Sequence, residues 1–396
     1  MRNSILLTLL VFLLSSSLFS HQRSESYSKI KIEDIEDGKK IEIEYSIQTS
    51  VLQRLELNFS ENWAQEFKDS VLNGFHFGEE CKLLEEPFLK KSFSTGYISL
   101  FWPLQCVANN LEISFQTFFE QDPTHNHIAT FTINSIRVPE KIFTNSDRIW
   151  TEANKDSASS SSIQSFYDYV NLGFNHILTG YDHLAFLLAL LLLNLNFRKL
   201  ILIITGFTLG HSLTLALGAL DLIKPASQLV EALIGYSIII ISLEVVASLT
   251  SAHKLYSNAL ALFSIFLIII FGFFGTDKFL IGIIGISLFS YCYLMFSSVH
   301  KGFSLTLIVT CMFGLIHGFG FAGNLSSIGL MQDRLLPAIF GFNIGVELGQ
   351  LLIIFAMYAV YSLISKIIKE KFDFVRVATA SALSSIGMFW FLERVV

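Results

Sequence analysis

Hydrophobic and polar positions along this chain change rhythm near residue 160. Before that point apolar residues alternate with polar ones at a period of two, the pattern of half-buried strands. Lys29 to Glu33 and Lys40 to Ile47 alternate on either side of Asp37-Gly38, a short-range hairpin signal. Leu111, Ile113, Phe115, Thr117 and Phe119 form a second such face, and Phe131, Ile133 and Ser135 a weaker third. Trp63, Phe67 and Val71 fall at helical spacing and predict one amphipathic helix. These elements predict a small β-sandwich-like domain over residues 21–150. Thr151 to Ser162 is serine-rich and aperiodic, so 151–163 reads as a linker.

Over 164–396 the pattern becomes long apolar runs. Candidate spans lie near 177–195, 200–219, 229–249, 258–275, 279–296, 303–323, 338–363 and 374–392. Phe166, Tyr167, Tyr169 and Phe174, ahead of the first run, read as an interfacial segment. The fold class expected is a polytopic α-helical membrane bundle of about eight spans behind a small extracytoplasmic β-sandwich-like domain. No internal repeat is read from the sequence, which argues against an inverted-repeat carrier.

Composition agrees. Of 396 residues 52% are hydrophobic and only 15% charged, more apolar surface than a soluble fold can hide. The net charge of −6 and the lack of a long basic run exclude nucleic acid as a partner and leave the lipid bilayer. Arg2, the apolar run Ile5 to Leu14, and Ser15, Ser16, Ser17 and Ser20 predict a signal peptide over 1–20. With the N-terminal domain outside, Arg198, Lys199, Lys254, Lys301, Lys366, Lys369, Lys371 and Arg376 fall on cytoplasmic connections; only Lys224, Lys278, Arg334 and Arg394 fall outside. That bias obeys the positive-inside rule and places the chain in a bacterial cytoplasmic (inner) membrane as a multi-pass protein. Export puts Cys81 and Cys106 in an oxidising compartment, where they are expected to form a disulfide. Cys292 and Cys311 sit in apolar runs as small hydrophobes.

Ionisable side chains inside hydrocarbon are costly and mark function. The first run opens His176-Ile-Leu-Thr-Gly180-Tyr-Asp182-His183. Two imidazoles seven residues apart share a helix face but are too far apart for one ion unless the helix breaks, which Gly180 allows. His211, Glu231, His317, Asn343 and Glu347 lie in later runs, and the alternation of span direction puts all eight of these residues in the outer half of the membrane. A shared depth points to one site, and imidazole with carboxylate suits a borderline divalent ion: nickel, cobalt, zinc or copper. His125 and His127, and His21 at the expected mature N-terminus, are candidate peripheral ligands.

At these residues the chain resembles the HupE/UreJ family, membrane proteins associated with hydrogenase and urease and regarded as nickel or cobalt permeases. The stretches that carry the resemblance are His176-Ile-Leu-Thr-Gly-Tyr-Asp182-His183, Thr208-Leu-Gly-His211-Ser212-Leu-Thr214, Glu231-Ala-Leu-Ile-Gly-Tyr-Ser237, Phe313-Gly-Leu-Ile-His317-Gly318-Phe-Gly320 and Phe342-Asn343-Ile-Gly-Val-Glu347-Leu-Gly-Gln350. The resemblance implies that His176, Asp182, His183 and His317 handle metal, and it suggests a metalloenzyme maturation system as partner. Smaller members carry an acidic residue soon after the second histidine motif. Phe319 to Leu325 has none, and Glu347 is the candidate replacement. The N-terminal domain, opening at His21-Gln-Arg-Ser-Glu-Ser-Tyr27, matches the longer branch of the family.

The expected function is transport of a divalent transition-metal ion, nickel or cobalt before copper or zinc, through an outward-facing His/Asp/Glu site. The alternative is an intramembrane metal-dependent hydrolase or oxidoreductase. A serine hydrolase on Ser212 and His317 is a third reading, but Gly210-His-Ser-Leu-Thr lacks the second glycine of a nucleophile elbow.

Overall fold

The computed structural model describes residues 24–54, 62–77, 81–92, 97–107, 111–152, 161–193, 195–220, 222–223, 227–273, 277–299, 303–328 and 332–395. The expected signal peptide, His21 and most of the linker lie outside them.

The N-terminal domain is β-rich, as the alternation predicts. Strands β1 (Glu25–Ile35) and β2 (Gly38–Gln48) pair antiparallel with Ile30 opposite Ile43 and Ile32 opposite Ile41, so the period-two set falls on one buried face. The turn between them is Glu36-Asp37, and Gly38 opens β2 at φ 123°. Only glycine fits there, since a Cβ would stand 2.3 Å from the Cys106 carbonyl oxygen. Helix α1 (Thr49–Arg54) follows, and α2 (Trp63–Gly74) buries Phe67 and Val71 as its spacing requires. Next come β3 (Phe75–Phe77), β4 (Cys81–Leu83), β5 (Phe88–Ser92), β6 (Tyr97–Cys106), β7 (Glu112–Phe115), β8 (Asn126–Ile133), β9 (Ile136–Phe143) and β10 (Ile149–Thr151). One sheet runs β4-β6-β2-β1-β8-β9 with β5 also on β6; the other runs β10-β7-β3. β1 and β8 are parallel, so the large sheet is mixed rather than built of hairpins alone. Phe115 of the small sheet stacks on His127 of the large one at 3.8 Å, and Trp150 stacks on Phe131 at 4.0 Å. The alternating face read from Leu111 to Phe119 is buried throughout, although the strand itself stops at Phe115. Cys81 and Cys106 are direct cross-strand partners, 4.1 Å apart at Cα, and form the expected disulfide.

The helical region comprises α3 (Ser161–Thr179), α4 (Tyr181–Leu192), α5 (Phe197–Ala219), α6 (Ser227–Thr250), α7 (His253–Phe273), α8 (Asp277–Val299), α9 (Phe303–Ile328), α10 (Gln332–Ile368) and, after a 3₁₀ turn at Lys369–Lys371, α11 (Phe372–Val395). Among the described residues five helices are long and apolar enough to cross a membrane, and six if α3 and α4 count as one bent span. The expected first span and its interfacial prelude need correction. Phe166 to Thr179 is helical and bent by 68° against Tyr181–Leu192; of the aromatics read as interfacial, Tyr169 is buried and Tyr167 is exposed. Aromatic residues marked this stretch as amphipathic, but their partner is helix α10.

Glycines make the pairing possible. Gly210 on α5 sits where a Cβ would be 2.3 Å from the Cys311 carbonyl oxygen of α9, and Gly314 on α9 where one would be 2.1 Å from that of Phe207. Gly173 on α3 meets the Phe342 backbone of α10 at 2.0 Å in the same way, and Gly235 and Gly387 bring α6 and α11 together. Lipid offers no hydrophobic drive between helices, so close backbone approach of this kind supplies the packing. Arg376 of α11 is buried and donates to the Leu192 carbonyl at 2.7 Å, satisfying an end of α4 that hydrocarbon would leave bare. Tyr27, Tyr97 and Ile128 of the β domain join the helical core beside Tyr169 and Leu172, so β1 and β8 form the seat on which the two parts meet.

Candidate metal site

The helix breaks between the two histidines of the first apolar run. Gly180 has extended ψ of 94° between α3 and α4, while Gly180 N still donates to the His176 carbonyl and Leu184 N to that of Gly180. The bend turns His183 back until its ring centroid lies 5.0 Å from that of His176. His317, arriving on α9, stands 5.1 Å from His183 on the other side. Phe207 packs on His183, His317 and His211 at 6.4, 4.9 and 6.3 Å, and Phe342 lies between His176 and His211 at 5.5 and 6.2 Å. The four histidines therefore share one aromatic box made by α3, α4, α5, α9 and α10. His183, His211 and His317 are all buried, and His211 is wholly so.

Each of these three rings has one nitrogen held by the protein. Asp182 Oδ1 lies 2.8 Å from His183 Nδ1, Asn343 Oδ1 lies 3.2 Å from His211 Nδ1, and Ser237 Oγ lies 3.1 Å from His317 Nε2. The other nitrogens, His183 Nε2, His211 Nε2 and His317 Nδ1, are buried with no hydrogen-bond partner. A buried unsatisfied polar atom costs roughly 1–3 kcal/mol, and three such nitrogens belong to the histidines of this box.

Toward the C-terminal end of α10 the polar lining continues. Thr205 donates to Glu347 Oε1 at 2.7 Å, Thr208 also bonds Glu347, and Thr208 lies 2.9 Å from Gln350 Oε1. Asn343, Glu347 and Gln350 share one face of α10, as their spacing requires. Glu231 sits elsewhere on α6, ion-paired with Arg394 of α11 at 3.3 Å. Among the described residues no three His, Cys, Asp or Glu side chains are arranged to hold one ion together. The histidines thus converge without forming a closed ligand set.

Ser212 donates its hydroxyl proton to the Thr208 carbonyl at 2.7 Å, which removes the geometric basis for a serine nucleophile. In the β domain His125 and His127 are buried, not loop-exposed, and all four ring nitrogens meet serines. The ladder runs Asp122–Ser24–His125–Ser26–His127–Ser28 with steps of 2.5, 2.6, 2.9, 2.7 and 2.9 Å. Burial, with a smaller contribution from His125, holds the His127 imidazole well below its ordinary range. Burial of Asp122 works the other way, but donors from Ser24 and Thr124 outweigh it and hold that carboxyl below its usual range.

A family profile described as HupE / UreJ protein matches residues 152–276 and again 276–394. The chain belongs to the HupE/UreJ family. That family is linked to nickel and cobalt accessory or permease-like function, and the apolar helices make this member a membrane protein. No curated protein matches the chain. Two successive matches correct the expectation of no internal repeat.

Proposed function

We propose that this protein carries a divalent transition-metal ion across the bacterial cytoplasmic membrane, with nickel or cobalt as cargo before copper or zinc. The observation that carries this reading is the trio of buried imidazoles, each with one nitrogen held by the protein and one without a partner. Neutral imidazole nitrogens without thiolates favour a borderline divalent ion over calcium or magnesium. His183, His211 and His317 are the first receivers, Asp182 holds His183 from behind, His176 closes the box, and Glu347 with Thr205, Thr208 and Gln350 is the onward step. Continuation of polar lining beyond the histidines supports passage through the bundle over a fixed catalytic ion. In this reading the bundle has about eight spans, the N-terminal domain faces the extracytoplasmic side over the site's mouth, and delivered metal serves maturation of a metalloenzyme.

The test is radioactive nickel and cobalt uptake in cells and in vesicles reconstituted with the full chain. His183→Ala and His317→Ala should each abolish uptake while protein abundance stays near wild type. Uptake indifferent to both changes refutes the proposal, and so does metal that binds but never crosses the vesicle membrane.

A further inference from the structure

We propose that Ser237, Asn343 and Asp182 are positioning residues that fix the tautomers of His317, His211 and His183, so that each ring turns an unprotonated nitrogen into the site. The proposal rests on the cation-site reading but goes beyond it, because it assigns the ring proton of three of the four histidines in the box. Asn343 is the clearest case. Its Nδ2 donates to the Ile339 carbonyl at 2.8 Å, so the amide oxygen must face His211. An amide oxygen only accepts, hence His211 Nδ1 carries the hydrogen and Nε2 carries the lone pair. Ser237 works by the same logic. Its hydroxyl has one proton, donated to the Ile234 carbonyl at 2.7 Å, so toward His317 it presents only a lone pair. His317 is therefore protonated at Nε2 and bare at Nδ1. Asp182 Oδ1 accepts from the backbone N–H and from Nδ1 of His183, both at 2.8 Å, leaving Nε2 of that ring bare.

The three nitrogens identified as bare are the same three that are buried without a partner. Bare imidazole nitrogen is the form that ligates a metal, and an acceptor behind the opposite N–H both orients the ring and raises its basicity. Ser237 lies on α6, which provides no histidine to the box, so its only link to a cation is through His317.

The experiment uses the full chain in detergent with cobalt(II) ion as probe, its binding followed by ligand-field absorption. Ser237→Ala and Asn343→Leu should weaken cobalt binding about 10–100-fold, the range for loss of such a supporting partner. Ser237→Thr and Asn343→Asp, which keep an acceptor, should bind close to wild type. Nitrogen-15 shifts of labelled histidine in metal-free protein, with the signals of His183, His211 and His317 assigned among the chain's ten histidines by single substitution, should show two Nδ1–H rings and one Nε2–H ring for those three, with the pattern altered in Ser237→Ala and Asn343→Leu. A merely structural role would leave those shifts in place in any variant that folds. Unchanged affinity and unchanged shifts in both loss variants overturn the proposal. Wild-type protein that binds no cobalt, nickel or zinc overturns instead the cation reading on which it rests, while the nitrogen-15 pattern still reports whether the tautomers are as assigned.

Discussion

Acid should loosen the N-terminal domain at the two strands that seat it on the helices. His127 lies between Ser26 and Ser28, stacked on Phe115 and Tyr45. Its pKa in the fold is well below the ordinary 6.5, because burial disfavours the charged ring and His125 adds to that effect. The unfolded chain therefore takes up a proton first as pH falls. Stability from this group is intact above about pH 6.5 and is lost below it, at about 1.4 kcal/mol per unit. One to two pH units at that limiting slope would already cost a large share of a domain's stability. Asp122 does not contribute over that interval. Its folded pKa is lowered from 3.8, so the stability it provides is intact above that value and disappears only in stronger acid. The assay is amide hydrogen exchange in the full chain, corrected for intrinsic rate, over residues 25–32 and 126–133 at neutral and mildly acid pH. Protection there should fall with acid in wild type, while the slope should flatten in His127→Phe, which keeps the stack but cannot titrate. Protection independent of pH in wild type, or an equal slope in the variant, would show that the ladder is not the titrating element.

Gly180→Ala would place a Cβ 2.8 Å from His183 Nδ1 and 3.2 Å from Asp182 Oδ1, so the pair must shift; uptake should fall by about tenfold or more at near-normal abundance, measured beside His183→Ala. Gly314→Leu should separate α5 from α9, since even a Cβ would lie 2.1 Å from the Phe207 carbonyl oxygen; abundance and thermal stability in detergent should both drop, and equal stability would refute the close-approach account. Arg376→Leu leaves the Leu192 carbonyl without its donor and should cost about 1–3 kcal/mol, read by thermal unfolding in detergent. Removing the Cys81–Cys106 bridge, which closes 25 residues, should destabilise the β domain by about 3.5 kcal/mol, read by proteolysis under reducing and non-reducing conditions.

The sequence carried the elements well because their physics is local. Ile30, Ile32, Ile41 and Ile43 alternate, so the β1–β2 hairpin and its inward face follow from period alone. The break at Gly180 was legible only as a condition: two histidines seven residues apart on one face can meet only if the helix bends, while the apolar run itself read as one span over 177–195. The parallel pairing of β1 with β8 was not legible, because its partners are about a hundred residues apart and no local pattern sets it. Nor was the burial of His125 and His127. Asp122-Pro-Thr-His-Asn-His has the composition of a surface turn, and only serines on β1 make its imidazoles tolerable inside.

At the site itself the divide falls between reactive groups and their holders. Histidines stand out in an apolar run because hydrocarbon makes them costly, so His176, His183, His211 and His317 could be found one by one. Ser237, Thr205 and Thr208 could not, since a hydroxyl in a membrane helix can satisfy itself on its own backbone and carries no such penalty. Ser237 does bond the Ile234 carbonyl, and that same bond is what makes its oxygen an obligate acceptor toward His317. The residue's apparent self-sufficiency is thus the source of its role. Which hydroxyl faces which imidazole depends on the rotation of α6 about its axis, and the close approach of Gly235 and Gly387 is one of the contacts that hold that helix in place.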